Sequence, residues 1–302
     1  MALKQIKSKI KATQRTSKVT KAMEAVSAVK MRKSQERAVL GRPFAMSAFR
    51  ILENISKSTN VQRHSLFTHD VGTHECVIVI TSDKGLAGSL NSSVLKEATE
   101  LLATHNKNQC ELVCFGKKAY EHYTRRGYTV AQHFINVRDE VSIEDMEAVA
   151  SQVIQKFTDG TYHTVSVVYQ NFLSTFEQKA RTRQILPIDT AEVSKMIHDI
   201  LPRMGKYSDN EKVQKNVVYT AEQSDTNLYD GIFRSIVEIM LYHALLESKA
   251  SEHSARMVAM KNATDKAKEV TKALTLLYNK ERQSVITAEV SEITGGIEAL
   301  KN

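Results

Sequence analysis

His253-Ser254-Ala255-Arg256-Met257-Val258-Ala259-Met260-Lys261-Asn262-Ala263-Thr264-Asp265-Lys266-Ala267 returns an apolar, small or histidine side chain every three or four positions, at His253, Met257, Met260, Thr264 and Ala267. The rhythm continues through Val270, Leu274 and Leu277 to Glu281, Ser284 and Ala288, which is coiled-coil spacing with a slip of phase. The stretch lies inside a run without glycine or proline from Ile232 to Thr294, bracketed by Gly231 and Gly295. A helix of that length reaches roughly 95 Å at 1.5 Å per residue, so it is expected to leave any globular body. Its seam is short of large aliphatic side chains and buries little apolar area per turn, so partners are expected to enclose it.

The other end of the chain answers it. Residues 1–40 also lack glycine and proline, and Leu3, Ile6, Ile10, Thr13, Ser17 and Thr20 keep the same spacing before Met23 and Val26 take up a shifted phase. Because the two helices flank a middle region whose ends must lie near one another, they are expected to pair antiparallel. Charge is concentrated on the first of them. Of the formal net charge of +8, residues 1–40 hold eleven Lys or Arg against Glu24 and Glu36, and the remainder is close to neutral. Such polarity fits one basic element meeting an acidic partner, whether nucleic acid, anionic membrane or protein.

Between the helices the period changes. Cys76 to Thr81 is a short apolar run of the kind buried on both faces of a sheet, followed by a loop at Ser82–Ser89 and a helical stretch to about His105. Strands are expected at Glu111–Phe115, Tyr162–Gln170 and Gln178–Leu186, and helices at Lys117–Arg126 and Ser142–Phe157, with Ser142 and Asp145 as cap candidates. This alternation predicts a Rossmann-like α/β domain with a largely parallel sheet. The chain then divides into an N-terminal coiled-coil helix over 1–60, the α/β domain over 75–190, an irregular connector over 191–230 and a C-terminal coiled-coil helix over 231–302.

Little in this pattern points to chemistry. The loop Thr81-Ser82-Asp83-Lys84-Gly85-Leu86-Ala87-Gly88-Ser89-Leu90-Asn91 follows a strand and opens a helix, as phosphate loops do, yet it matches neither GxGxxG nor GxxxxGK[ST]. Cys76, Cys110 and Cys114 form no CxxC pair, and the ten histidines show no ligand spacing. No catalytic residue, metal site or cofactor is expected. No apolar stretch approaches the roughly 18 residues of a membrane span. A dinucleotide-binding enzyme and a basic coiled coil that binds nucleic acid remain the competing functional classes.

Longer stretches carry a resemblance. Ile6-Lys7-Ser8-Lys9-Ile10, Lys18 to Ala28 (KVTKAMEAVSA) and Lys30-Met31-Arg32-Lys33 are similar to the opening helix of gamma subunits of F-type ATP synthases, of the bacterial type. The SDKGLAGSLN loop resembles that family's SD-basic-GLCG segment, with Ala87 where cysteine is common. Ser251 to Thr264, Tyr278 to Gln283 and Ile286 to Ile293 match the family's C-terminal helix most specifically, although Gly296-Ile297 stands where the family closes with Gly-Ala. No counterpart of the paired-cysteine insert of chloroplast members is present, so thiol control is not expected.

The resemblance implies a non-catalytic rotor shaft that conveys torque from a membrane c ring to catalytic beta subunits, coupling proton flow to ATP synthesis. Its partners would be the alpha, beta and epsilon subunits and the c ring, with no nucleic acid, and with the membrane reached only through the complex. By family position, Arg282, Gln283, Thr287 and Glu289 would contact the alpha/beta hexamer and Tyr219 and Glu222 the c ring, while the basic helix with Lys21, Met23, Lys30, Arg32 and Lys33 would follow an acidic segment of beta in that hexamer by long-range attraction. The implied place is the cytoplasmic face of a bacterial inner membrane. Since the resemblance starts within the first ten residues, no leader is expected.

Overall fold

A computed structural model describes residues 3–55, 64–68, 72, 74–189 and 226–299. In chain order these form α1 (Leu3–Ile55), β1 (His74–Ile80), α2 (Leu90–Leu102), a 3₁₀ turn (Lys107–Gln109), β2 (Cys110–Phe115), α3 (Lys117–Arg125), β3 (Thr129–Phe134), α4 (Glu144–Thr158), β4 (Tyr162–Phe172), β5 (Gln178–Leu186) and α5 (Thr226–Ala299). Two compact units result: Met1–Ser27 with Met257–Asn302, and Ala28–Arg256.

The larger unit is built on a five-stranded sheet in the order β3-β2-β1-β4-β5, in which only the β4–β5 pairing is antiparallel. The order dictates where the helices go. From β1 the chain moves outward through β2 to β3, then returns past β1 to β4, and right-handed crossovers taken in opposite directions land on opposite faces. Accordingly α2 and α3 cover the face lined by Val77, Val79, Leu112, Cys114 and Val168, through Val94, Ala98, Leu102, Ala119 and Tyr123. On the other face α4 and the first turns of α5 enclose Cys76, Ile78, Ile80, Val165, Val167 and Tyr169, with Phe233, Ile236, Val237, Met240 and Leu245 as the main contributors from α5. Full burial of such side chains is worth about 1.5–3 kcal/mol each, so these two layers supply most of the unit's cohesion. Burial pushes the thiols of Cys76 and Cys114 up to about 12, so neither is a ready nucleophile.

Several local expectations need correction. Strand β3 has no counterpart in the sequence reading, because its alternation of exposed and half-buried residues carries Gln132 and His133. Helix α4 begins after Ile143 rather than at Ser142, and Asp145 reaches back to accept the Ser142 N–H at 2.9 Å. Helix α5 starts at Thr226 and runs through Gly231, Gly295 and Gly296. A glycine weakens a helix by about 1 kcal/mol without ending it.

In the smaller unit the two chain ends pair. Ile6, Thr20 and Ser27 are buried on α1, and Met260, Thr264 and Ala267 on α5. The hydroxyls of Thr20 and Thr264 share a 2.6 Å hydrogen bond. The two long helices run antiparallel, and within the larger unit Lys30 of α1 and His253 of α5 both bond Asp139. The α1 seam follows the expected Leu3-Ile6-Ile10-Thr13-Ser17-Thr20 course, but then continues to Ser27, while Val26 is 55% exposed. On α5 the half-buried line continues at Thr271, Leu274, Tyr278 and Glu281, while Val270 and Leu277 turn outward. Small hydroxylated residues therefore share the seam with Leu3, Ile6, Ile10, Met260 and Leu274, while Val26, Val270 and Leu277 face out.

Gly116 shows where the backbone leaves no room. It sits at φ 89°, and a Cβ there would lie 2.2 Å from the Thr81 carbonyl oxygen; Gly160, at φ 74°, has nothing within 4 Å. Gly160→Ala should cost about 1–2 kcal/mol for its left-handed backbone alone. Gly116→Ala should cost about 3 kcal/mol or more, because the clash adds to the strain. Urea midpoints of the two variants against the parent, at equal slope, check the ordering.

Candidate functional site

The loop after β1 looks outward from the sequence but is used inward. Glycine-led α3 exposes unpaired N–H groups at its first turn, the feature that elsewhere draws phosphate. Here Lys117 N–H donates to Asp83 Oδ1 at 3.0 Å, Lys118 N–H to the Ser82 carbonyl at 3.3 Å and Ala119 N–H to Thr81 Oγ1 at 2.9 Å. Asn91 then pins the loop, accepting from Ser82 N–H at 3.0 Å and donating to Ser82 Oγ at 2.8 Å. Thr81, Ser82 and Asp83 thus cap a helix thirty-odd residues away, and the anion-binding donors are already taken.

A doubly wound sheet opens a crevice at the carboxyl ends of its strands where the winding reverses, here between β1 and β4. In this chain α5 lies across those strand ends. Ser251 Oγ donates to the Gln170 carbonyl at 3.1 Å and Ser254 Oγ to the Thr175 carbonyl at 2.6 Å. Asn171 donates to Glu247 at 2.8 Å. Arg256 is paired with Glu252 at 2.8 Å and points its guanidinium at the carbonyls of Lys84 and Gly85, 3.4 and 3.5 Å away. The crevice that would accept a nucleotide in an enzyme is filled by the protein's own helix.

Asp139 joins three chain segments. Its carboxylate takes Lys30 Nζ at 2.7 Å and His253 Nε2 at 3.0 Å, with Lys249 Nζ 4.0 Å away, and Lys249 also donates to the Val137 carbonyl at 2.9 Å. Arg37 donates to the Asp139 carbonyl at 3.1 Å and pairs with Glu140 at 2.8 Å. The His253 hydrogen bond, followed by that from Lys30, holds the Asp139 carboxyl well below the usual carboxylate range despite its partial burial. Glu140 is lowered in the same direction by Arg37.

The residues singled out for outside contacts are placed as follows. Lys21, Arg32 and Lys33 are exposed and Met23 is half-buried; Arg282, Gln283, Thr287 and Glu289 are all exposed. Lys30 differs from the rest, because its ammonium is committed to Asp139. Tyr219 and Glu222 lie outside the described residues. The sequence reading did not find Arg37, Asp139, Lys249 or Asn171. The available signal was the polar run Glu247–Arg256, too polar for a helix that must cross a folded domain unless each group has a partner.

Among the described residues, one end of α5 has no helix beside it. Seventeen residues separate Thr20 from Leu3 in one direction and Thr264 from Glu281 in the other, so α1 begins level with Glu281. Every residue from Arg282 to Ile297 is exposed, including Val285, Ile286, Val290, Ile293 and Ile297 at 40–63%.

A family model described as ATP synthase matches residues 2–300. The chain is 34% identical to the ATP synthase gamma chain of Pelotomaculum thermopropionicum over 300 residues, which span 99% of both chains. It is also 34% identical to the ATP synthase gamma chain of Cytophaga hutchinsonii over 307 residues, 100% of this chain and 99% of that one. The chain belongs to the ATP synthase gamma family. This gamma-family chain also resembles a chain in the central stalk and c ring of the mitochondrial ATP synthase of Tetrahymena thermophila, with a TM-score of 0.61 and 26% identity over 81% of this chain and 99% of that one. The fold is shared with a chain of the Euglena gracilis mitochondrial enzyme at a TM-score of 0.66, with 17% identity over 99% of this chain and 94% of that one. Among the described residues of this gamma-family chain, no helix is long and apolar enough to cross a membrane.

The lowered Asp139 sets a pH dependence. Its folded-state pKa lies below the ordinary value near 3.9, so the unfolded state binds more protons as the pH falls toward acid, and the stabilisation present above about pH 4 is lost below it. Asp139→Asn should be less stable than the parent at neutral pH, with the gap nearly constant down to about pH 5 and narrowing progressively from there to about pH 2. Urea unfolding of both proteins across that range would show it; a gap that does not change with pH would contradict the assignment.

Proposed function

We propose that this chain is the central rotor shaft of an F-type ATP synthase, carrying torque from a proton-driven membrane c ring to catalytic sites on beta subunits and making no bonds itself. The observation that carries the reading is the end of α5 that is exposed on all sides among the described residues and bears apolar side chains. Ile286, Val290, Ile293 and Ile297 recur at steps of four, three and four. Enclosing each of them recovers about 1.5–3 kcal/mol, and hydrophobic contact has no preferred direction. Such an end can be held firmly by an apolar sleeve and still turn in it.

The basic face complements this. Lys21, Arg32 and Lys33 are exposed on α1, where pairs with an acidic partner are worth roughly 0–1 kcal/mol each. Weak, replaceable pairs suit a surface that meets each catalytic subunit in turn. Arg282, Gln283, Thr287 and Glu289 supply the directional contacts with the alpha/beta hexamer, with Met23 beside the basic face. The larger unit binds the epsilon subunit and the c ring, the latter through Tyr219 and Glu222. The assembly sits at the cytoplasmic face of a bacterial inner membrane and holds this chain there through partners.

An affinity-tagged chain expressed in bacterial cells with the other subunits should co-purify with alpha, beta and epsilon. Arg282→Ala combined with Gln283→Ala should lower proton-driven ATP synthesis in membrane vesicles about tenfold, the equivalent of roughly 1.4 kcal/mol. The helical circular dichroism of the isolated subunit should not change. Normal synthesis by the double variant would remove those two side chains from the contact.

A further inference from the structure

The segment Glu247–Arg256 of α5 holds eight buried polar side chains: Glu247, Ser248, Lys249, Ser251, Glu252, His253, Ser254 and Arg256, each at most 9% exposed. Burying such groups is costly, and an apolar helix surface would dock on the sheet as well or better. What polar contacts add is direction. Successive residues of a helix are turned by about 100°, so Glu247, Ser251 and Ser254 fall within about 60° of one another, and Lys249, His253 and Arg256 form a second such group almost opposite.

The two groups meet different parts of the unit. The first is bonded to Asn171, the Gln170 carbonyl and the Thr175 carbonyl, at the end of β4 and the hairpin beyond it. The second is bonded to Asp139, the Val137 carbonyl and the carbonyls of Lys84 and Gly85, on the loops after β3 and β1. One helix is therefore gripped from two sides within about 15 Å of its length. Rolling it by a single residue would strand Glu247, Lys249 and Arg256 in the interior without partners.

We propose that Glu247–Arg256, clasped by Asp139 and Asn171 and by the loops after β1 and β3, forms a torsional collar that fixes the rotational register of α5 in the α/β unit. The inference rests on the rotor reading. In that setting, torque delivered to the α/β unit reaches the helix only if the helix cannot spin in its socket, and apolar packing alone resists spinning poorly. Lys30 and Arg37 tie α1 to the same Val137–Glu140 strap, so both helices turn with the sheet. These are positioning residues: they touch no substrate and act through the helix they orient.

The experiment uses vesicles lacking their own gamma subunit, refilled with this chain and the remaining subunits. Asp139→Ala, which removes the hydrogen bonds from both Lys30 and His253, should leave assembly intact and lower the ratio of proton-driven synthesis to ATP hydrolysis about tenfold. The deficit should grow as the opposing phosphorylation potential is raised, a load dependence that simple loss of stability does not produce. In Asp139→Cys with His253→Cys, a short bis-maleimide should restore the ratio, the native Cys76, Cys110 and Cys114 being buried. An unchanged ratio, failure of the cross-link to restore it, or failure of the variants to assemble would each overturn the collar, the last by assigning these bonds to folding. If the unaltered chain fails to restore synthesis, the rotor reading itself falls.

Discussion

Carbonyl groups at the carboxyl ends of parallel strands point out of the sheet with nothing beyond them to bond, and burying them requires donors from elsewhere in the chain. In this protein Thr81 covers the Phe115 carbonyl and Gly116 the Phe134 carbonyl, and one helix supplies donors to β4 and to the loops beyond the strand ends. Ser251, Ser254, Lys249 and Arg256 reach the carbonyls of Gln170, Thr175, Val137, Lys84 and Gly85, and Glu247 and His253 answer the side chains of Asn171 and Asp139. The remainder of the larger unit is arranged around that demand. The loop after β1 must hold its carbonyls toward α5, which it does by capping α3 with Thr81, Ser82 and Asp83.

The same constraint decides what the fold is not used for. A doubly wound sheet offers its reversal point to ligands because that crevice is otherwise open. Filling it with a helix removes the site and gives the sheet a different task, that of a socket. Outside the socket the helices change character. The pairing at Thr20 and Thr264 is narrow and hydroxyl-lined, and past Glu281 no other described segment covers α5, whose isoleucines and valines are exposed. A single chain thus combines a directional grip, a thin seam and a non-directional apolar end. Membership of the ATP synthase gamma family is consistent with all three.

Much of this was legible in order along the chain. The apolar block Cys76–Ile80, flanked by a loop and a helix, marked a central strand because burial on both faces demands continuous apolar residues. The α1 seam from Leu3 to Thr20 was readable because its spacing is regular even where its residues are small. Failures came where hydrophobicity and burial part company. Val26 carries the more apolar side chain, yet Ser27 is buried, because two helix backbones approaching closely admit a small residue and exclude a branched one. Strand β3 was missed for a related reason: an edge strand needs only half its residues to be apolar, and Gln132 and His133 break the pattern further.

From the sequence alone came the two long helices, the α/β middle with its largely parallel sheet, the basic first helix and the family likeness, all properties of local spacing and composition. Only the tertiary structure decided that the polar run Glu247–Arg256 is an internal anchor, that Asp139 gathers Lys30, Lys249 and His253, and that Lys30 is spent within the fold. The physical reason is that a buried polar residue is explained by its partner, and these partners are separated by seventy to more than a hundred residues, a distance that no local pattern encodes.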